Sequence, residues 1–467
     1  MSIKVLVFGM TDNPGGMESC VMNYYRNIDW SDVQFDFLCN WENMVYADEV
    51  TAKGSKIYTI PQKSKDYKAY KKALDDFFKA HKGEYDVFWY DLFMSESSFV
   101  HLLEIYNAHK DEEFVVLTFN FEGLEGETGL YQKLNWNFWD YSGIKVVNIV
   151  VDHPLYYHKY LATRPQNYVQ IDIDKVHMEY MNRFYPDVKT LFMASAGTEV
   201  NKDRKAYEKG VYIPVKDRPM DIIFTGNYTP KHILRKQIDN LEQDYIDFYE
   251  KVLSDIINHP NMTIDEAAEK HLREEFNDLT DEQLCNCMPG MMYADLNVRF
   301  HYRELAIRAL VDSGLKVNTY GEGYNYIVCE HPENIIQHGS ANSQQCLDNI
   351  SQAKISLNVM PWFKKGAHDR VFNSCLNGAV CLTDSSSYLD EIFTDGKDIL
   401  FYDLNMLKDY EMSGYDYKVI EPMIKRVREL LMDDTALQSI ADNAYELCRV
   451  EHTWENVTYS LMNQGIL

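Results

Sequence analysis

The stretch KKGAHDRVFNSCLNGAVCLTDSSSYLDE, from Lys364 to Glu391, poses a chemical question. Lys364, Lys365, His368 and Arg370 crowd the start of an apolar, small-residue segment that reads as a buried helix. A helix start already attracts anions through its free N–H groups and its dipole. Four basic side chains added there predict a bound phosphate; an ordinary charged helix start on the surface is the alternative. Arg370 is the first candidate, because it lies just before the tightly packing run NSCLNGAV and a guanidinium forks onto phosphate oxygens. Asp172 and Asp174 in QIDIDK have the spacing of a metal-binding acidic pair. They fall at a strand–helix junction and read as structural, so no metal site is expected.

Such side chains need a scaffold that brings loop ends together. Short apolar runs alternate with helical patterns from the start: IKVLVFGM, VQFDFLCN, SKIYTI, YDVFWYD, FVVLTFN and KVVNIVVDHP. Runs apolar on both faces imply a parallel sheet covered by helices, a doubly wound α/β domain of Rossmann type. A second series follows in PMDIIFTGNYTP, GLKVNTYGEGY, IIQHGS, AKISLNVM, AVCLTD and DILFYD, with a helical segment at 231–310. The expected division is 1–205, 206–445 and a closing helix at 446–467. Ligands of such sheets sit beyond the carboxyl ends of the strands. In the first domain the polar residues there are Asp12, Gly15, Gly16, Glu18, Tyr90, Asp91, Asn120, Glu122, Asp152 and His153. In the second they are Gly226, Asn227, Thr229, Tyr320, Gly321, Gly323, His338, Gly339 and the Lys364–Glu391 stretch.

Composition excludes several classes. The chain of 467 residues is long enough for two or three domains, and 46% apolar content makes it globular. A formal net charge of −26 argues against general nucleic-acid binding and adsorption to anionic membranes. No secretory leader and no membrane-spanning run is apparent. Nine cysteines are scattered without a paired CxxC motif, which suits reduced thiols in a cytoplasmic protein better than a disulfide or zinc framework. The absence of a GxGxxG fingerprint disfavours a nicotinamide-dependent oxidoreductase.

DNPGGMESCVMNYYRNID after the first strand resembles the corresponding loop of bacterial exopolysaccharide and capsule glycosyltransferases, which have two Rossmann domains facing a cleft, the GT-B fold. The segment from DIIFTGNYTP through HDRVFNSCLNGAVCLTDSSSYLDEIFTDGKDILFY resembles the C-terminal domain of spore-maturation (CgeB-like) glycosyltransferases. VEHTWENVTYSLM is similar to the last helix of such enzymes, which crosses back to the first domain. The resemblance implies a metal-independent transferase that moves a sugar, expected to be a hexose, to a glycan or protein acceptor. The donor would be a nucleotide-diphosphate sugar, expected to be UDP-linked, held by the second domain without a further cofactor. Gly226 would let the backbone approach the diphosphate, with Lys231 and Arg235 reaching it beside Lys364, His368 and Arg370. Gly339 and its neighbours, His338 among them, would suit backbone recognition of a base edge, Asn227 and Gly321 are further donor-binding candidates, and Tyr320 either stacks on a ring or packs in the core or at the rim.

Where many such enzymes carry a glutamate that contacts the donor ribose or sugar, this chain has Asn373, and Lys365 stands near the position of its spaced partner. On the acceptor side the candidates are Asp152, His153 and Glu18, with Gly15, Gly16, Asp91 and Glu122 in the loops. Asp152 and His153 end an apolar strand, and neighbours along a strand point apart, so one of the two is expected to face the cleft. A turn cap is the alternative. A catalytically inactive GT-B protein serving as a binding or assembly partner is the second reading, and Asn373 is the residue that favours it.

Overall fold

The computed structural model describes residues 3–8, 10–12, 21–22, 25–26, 33–41, 43–62, 65–81, 95–108, 110, 115–127, 129–132, 136–200, 213–464 and 466. Gly15, Gly16, Glu18, Tyr90 and Asp91 lie outside these residues, as does the expected strand YDVFWYD. The chain divides into two compact units. One comprises 1–114, 126–142 and 342–344; the other comprises 115–125, 143–341 and 345–467. By compactness, the first long segment of the chain ends at 114, and the strands from 115 onward pack with the C-terminal part.

In the first unit β1 (Ile3–Phe8), β2 (Val33–Cys39) and β3 (Ile57–Thr59) form a parallel sheet in that order. Phe35, Phe37, Met22 and Tyr25 form its buried core, and the Tyr25 hydroxyl donates to the Val50 carbonyl at 3.0 Å.

The second unit holds two parallel sheets. The strands β4 (Val115–Phe119), β7 (Lys145–Val150), β8 (Tyr168–Asp172) and β9 (Lys189–Phe192) lie in sequence order. A short antiparallel pair, β5 (Tyr131–Gln132) and β6 (Trp136–Asn137), belongs to the first unit. The larger sheet comprises β10 (Met220–Thr225), β11 (Val317–Tyr320), β12 (Ile335–Gln337), β13 (Ala353–Leu357), β14 (Val380–Asp384) and β15 (Leu400–Tyr402). Its order is β12-β11-β10-β13-β14-β15. The chain thus winds one way from β10 and then the other, which is the doubly wound Rossmann arrangement. The switch point lies between β10 and β13, where such sheets bind ligands, and the chain places Gly226 after one strand and the Lys364–Arg370 loop after the other.

The expected helical segment is the crossover between β10 and β11. It contains α1 (Gln243–Asn258), α2 (Ile264–Glu275), α3 (Asp281–Cys287) and the long α4 (Met292–Asp312). Thr263 and Thr280 open α2 and α3 with capping boxes to Glu266 and Gln283. Arg183, beyond β8, pairs with Glu269 and Asp281 and ties this insertion to the smaller sheet. The closing helix α7 (Trp454–Asn463) follows α6 (Asp434–Glu451), with α5 (Asp369–Leu376) the helix of the basic stretch. Val457 and Leu461 of α7 share one buried core with Val147, Ile149, Val169 and Ile171 of the smaller sheet. Gly197 N–H donates to the His452 carbonyl at 2.8 Å, fastening the return. Among the described residues no helix is long and apolar enough to cross a membrane.

Candidate functional site

The switch point is built around Phe224, near the end of β10. Arg370, in the first turn of α5, places its guanidinium carbon 5.2 Å from the Phe224 ring centroid and donates from Nη1 to Asn358 Oδ1 at 2.7 Å. Arg303, from α4, places its own guanidinium carbon 5.1 Å from the same centroid and donates to the Asn227 carbonyl. Both side chains are buried, and among the described residues neither has a carboxylate within ion-pair distance. Burial, with Arg370 nearby, pushes the Arg303 pKa down to about 9, so it stays cationic at neutral pH. The Arg303 Nε has no hydrogen-bond partner among the described residues. Asp369, next to Arg370 in the chain, acts on that guanidinium from beyond ion-pair distance, and buried cations favour an anion beside them.

The turn beside them needs glycine. Gly226 has φ +147°, and an added Cβ would stand 3.3 Å from Arg370 Nη2. Its carbonyl accepts from the Tyr324 hydroxyl, and its N–H donates to the Tyr320 carbonyl at 2.9 Å. Gly321, at φ +139°, packs so closely that a Cβ would meet the Gly226 carbonyl oxygen at 2.2 Å. Gly321 N–H donates in turn to the Gly339 carbonyl at 2.8 Å, and Asn227 Oδ1 accepts from Glu322 N–H at 3.0 Å. Tyr320 stacks on His338 with centroids 4.4 Å apart and planes 6° from parallel, so one face of the tyrosine ring is already covered. The expected loop residues Gly226, Asn227, Tyr320, Gly321, His338 and Gly339 are thus brought together with Arg370.

Other expected residues are placed elsewhere. Lys231 donates to Glu250 at 3.0 Å, Arg235 pairs with the same carboxylate, and Asp239 lies 3.3 Å from the Arg235 Nε. In this structure both are engaged with Glu250. Lys365 pairs with Glu179 at 2.7 Å. Lys364 turns away from Arg370: its N–H donates to Asp174 at 2.9 Å and its ammonium to the carbonyls of Pro260 and Pro361. Burial pushes the Lys364 pKa down to about 8. Asp174 caps the helix that begins at Lys175, accepting from Val176 N–H at 2.7 Å, and its other oxygen also takes Lys365 N–H at 3.1 Å. Asp172 is buried, with Oδ1 accepting from Gln170 at 2.7 Å and Oδ2 without a hydrogen-bond partner among the described residues.

His368 remains beside Arg370, partly exposed, with Nδ1 2.6 Å from Asp369 and 3.1 Å from Arg370 N–H. Nδ1 accepts the Arg370 N–H and so caps α5. Asn373 is fully engaged: Oδ1 accepts from Thr198 N–H at 2.8 Å and Nδ2 donates to Asp369 at 3.0 Å. It fastens α5 to the 197–198 segment, whose Gly197 packs on the Phe372–Asn373 backbone.

Asp152 and His153 do point apart. His153 is buried and caps the short turn Pro154–Tyr157, with Nδ1 accepting from Leu155 N–H at 3.1 Å. Burial, helped by Arg299, pushes its pKa down to about 3, so the ring is neutral with its proton on Nε2. His153 is therefore the turn cap, and Asp152 is half-exposed. Asp152 Oδ1 stands 3.7 Å from Arg299 Nη1, and the Tyr157 hydroxyl donates to Oδ2 at 3.3 Å. A cavity of about 30 Å3 lies beneath, lined by His153, His177, Asp295, Trp362 and Lys364 among others, with room for about one water. Glu122 is exposed in a turn after β4, its carbonyl accepting from Thr118 Oγ1 at 2.5 Å.

Arg299 and Arg303 were not singled out in the sequence. The available signal was the spacing of Asp295, Arg299 and Arg303, four residues apart on a helix and hence on one face.

Residues 303–463 match the family described as Glycosyl transferase-like. No curated protein matches the chain. Among solved structures, sucrose-phosphate synthase from Thermosynechococcus elongatus aligns at TM-score 0.41 and 10% identity over 99% of this chain and 98% of that one. Anabaena Alr3699/HepE, in complex with UDP and glucose, aligns at 0.41 and 8% over 99% of each. An alpha-glucosyltransferase in complex with UDP and a 13-mer DNA aligns at 0.45 and 11% over 100% of each.

Proposed function

We propose that the protein is a glycosyltransferase of GT-B type that moves a sugar from a nucleotide-diphosphate sugar to a hydroxyl of a glycan or protein acceptor. The observation that carries this reading is the pair of buried arginines, Arg303 and Arg370, at the switch point of a Rossmann sheet, neither of them in an ion pair among the described residues. A diphosphate placed there supplies the missing negative charge. As the acceptor oxygen bonds to the anomeric carbon, the hydroxyl proton passes to Asp152 or water, the bond to the diphosphate breaks, and that group leaves with the electron pair. The two guanidiniums then stabilise the charge that develops on it. Gly226 and Gly321 keep the backbone low beside the phosphates, and the Tyr320–His338 face and Gly339 border the nucleoside. Asp152 stands on the acceptor side. The match over residues 303–463 includes both arginines and supports the reading.

The second reading, a binding or assembly protein, is favoured by Asn373, whose side chain is spent on holding Thr198 and Asp369. Two measurements separate the readings. Thermal shifts with a panel of nucleoside diphosphates test the site, because a ligand that binds only the native state raises Tm. Release of nucleoside diphosphate from a panel of sugar donors tests turnover. Binding without any release favours the second reading, and no binding by any nucleotide refutes both forms of the nucleotide site.

A further inference from the structure

The face of α4 that carries Arg303 continues one turn earlier in Arg299 and two turns earlier in Asp295. Arg303 belongs to the anion site, while Arg299 lies about 6 Å back along the helix axis. Its surroundings fix it on three sides. The guanidinium carbon stands 4.3 Å from the Trp362 ring centroid, in the loop after β13. Nη2 lies 2.6 Å from Asp295, itself held by the Tyr156 hydroxyl at 2.5 Å. Nη1 faces Asp152 at 3.7 Å, the end of β7. Asp295 is buried, whereas the Asp152 side chain keeps 37% of its surface exposed. The Asp152 carboxylate thus meets Arg299 at Oδ1 and the Tyr157 hydroxyl at Oδ2, and keeps exposed surface for a further donor.

We propose that Arg299 is a positioning residue of the transfer reaction, holding Asp152 so that its open oxygen accepts a hydrogen bond from the incoming acceptor hydroxyl. This rests on the transferase reading above. α4 then serves both partners, with Arg303 toward the leaving diphosphate and Arg299 toward the acceptor. The long crossover between β10 and β11 is the element that spans the two.

The test uses the full chain and whichever donor of the panel it hydrolyses, with water in place of the acceptor. Arg299→Ala is expected to lower turnover about 10- to 100-fold, the range for loss of a charge-assisted contact, while nucleoside diphosphate affinity changes less than about threefold. Added guanidinium ion at tens of millimolar is expected to restore part of the turnover. Asp152→Asn and Arg299→Ala are expected to be non-additive, since they act as one unit. Arg299→Lys, which keeps the charge, serves if the alanine variant fails to fold, and should lie between native and alanine. Unchanged turnover, or full additivity without guanidinium rescue, overturns the positioning role. A native protein that binds nucleoside diphosphate but hydrolyses no donor overturns the role and leaves the nucleotide site standing. A native protein that binds no nucleotide overturns the transferase reading itself.

Discussion

Arg303 and Arg370 share one aromatic ring: their guanidinium carbons stand 5.1 Å and 5.2 Å from the centroid of Phe224. They lie 67 positions apart in the chain, on two different helices, and meet where β10 ends. Two buried like charges repel each other and lose hydration. Their retention side by side makes sense when a dianion completes the group. Removing one should therefore relieve repulsion in the free protein while weakening the anion. Arg303→Met is expected to hold or raise Tm without nucleotide and to lose most of the nucleotide-induced shift, checked by thermal unfolding with and without nucleoside diphosphate.

The surface cations make the contrasting case. Lys231 and Arg235 are both paired with Glu250. Lys231→Ala and Arg235→Ala are expected to bind nucleoside diphosphate within about twofold of native, since paired surface charges contribute little. Calorimetric titration of the two variants checks this.

Gly321 is a backbone determinant of the same site. A Cβ there would meet the Gly226 carbonyl oxygen at 2.2 Å, in a backbone region that disfavours side chains. Gly321→Ala is expected to cost about 2 kcal/mol or more in urea unfolding and to weaken nucleotide binding through displacement of the 226 turn. Gly314→Ala, with φ +87° but open space around it, should cost less and leave binding alone.

The strands were legible because apolar runs of 5–7 residues bounded by Gly, Asn and Asp leave little alternative. The site was legible where chemistry and strand ends coincide, at Gly226 and Arg370. It was not legible where direction depends on tertiary structure. Lys364 is six residues from Arg370, yet Asp174 pulls its backbone toward β8 and its side chain follows. Lys231 and Arg235 look available until Glu250 folds over them from α1. Arg299 and Arg303 lay inside a segment read only as helical, and a spacing of four shows a shared face without showing what that face meets. Asn373 reads as a substituted donor contact, but its amide serves both Asp369 and Thr198, which a carboxylate could not.

The buried histidines predict acid sensitivity. Burial, with His153 nearby, pushes the His177 pKa from 6.5 down to about 3. Between those values the unfolded chain binds a proton that the native protein refuses, so this group's contribution is present above pH 6.5 and is lost as pH falls toward 3. At pH 4.5 the loss is about 2–3 kcal/mol. Asp172, whose pKa burial raises to about 7, acts in the opposite direction over the same range, so the test must be differential. His177→Phe is expected to gain stability relative to native by about that amount between pH 7 and pH 4.5, read from urea midpoints at the two pH values.

The central claim is that Arg303 and Arg370 hold a nucleoside diphosphate at the switch point of the larger sheet. Its most direct test is calorimetric titration of UDP, GDP and ADP into the native protein and into folded Arg370→Ala and Arg303→Ala variants. A charge-assisted hydrogen bond in a buried site contributes about 1.5–3 kcal/mol, so each variant should bind the preferred nucleotide about 10- to 100-fold more weakly than native. Equal affinity in native and both variants, or no binding of any of the three by the native protein, would contradict the account.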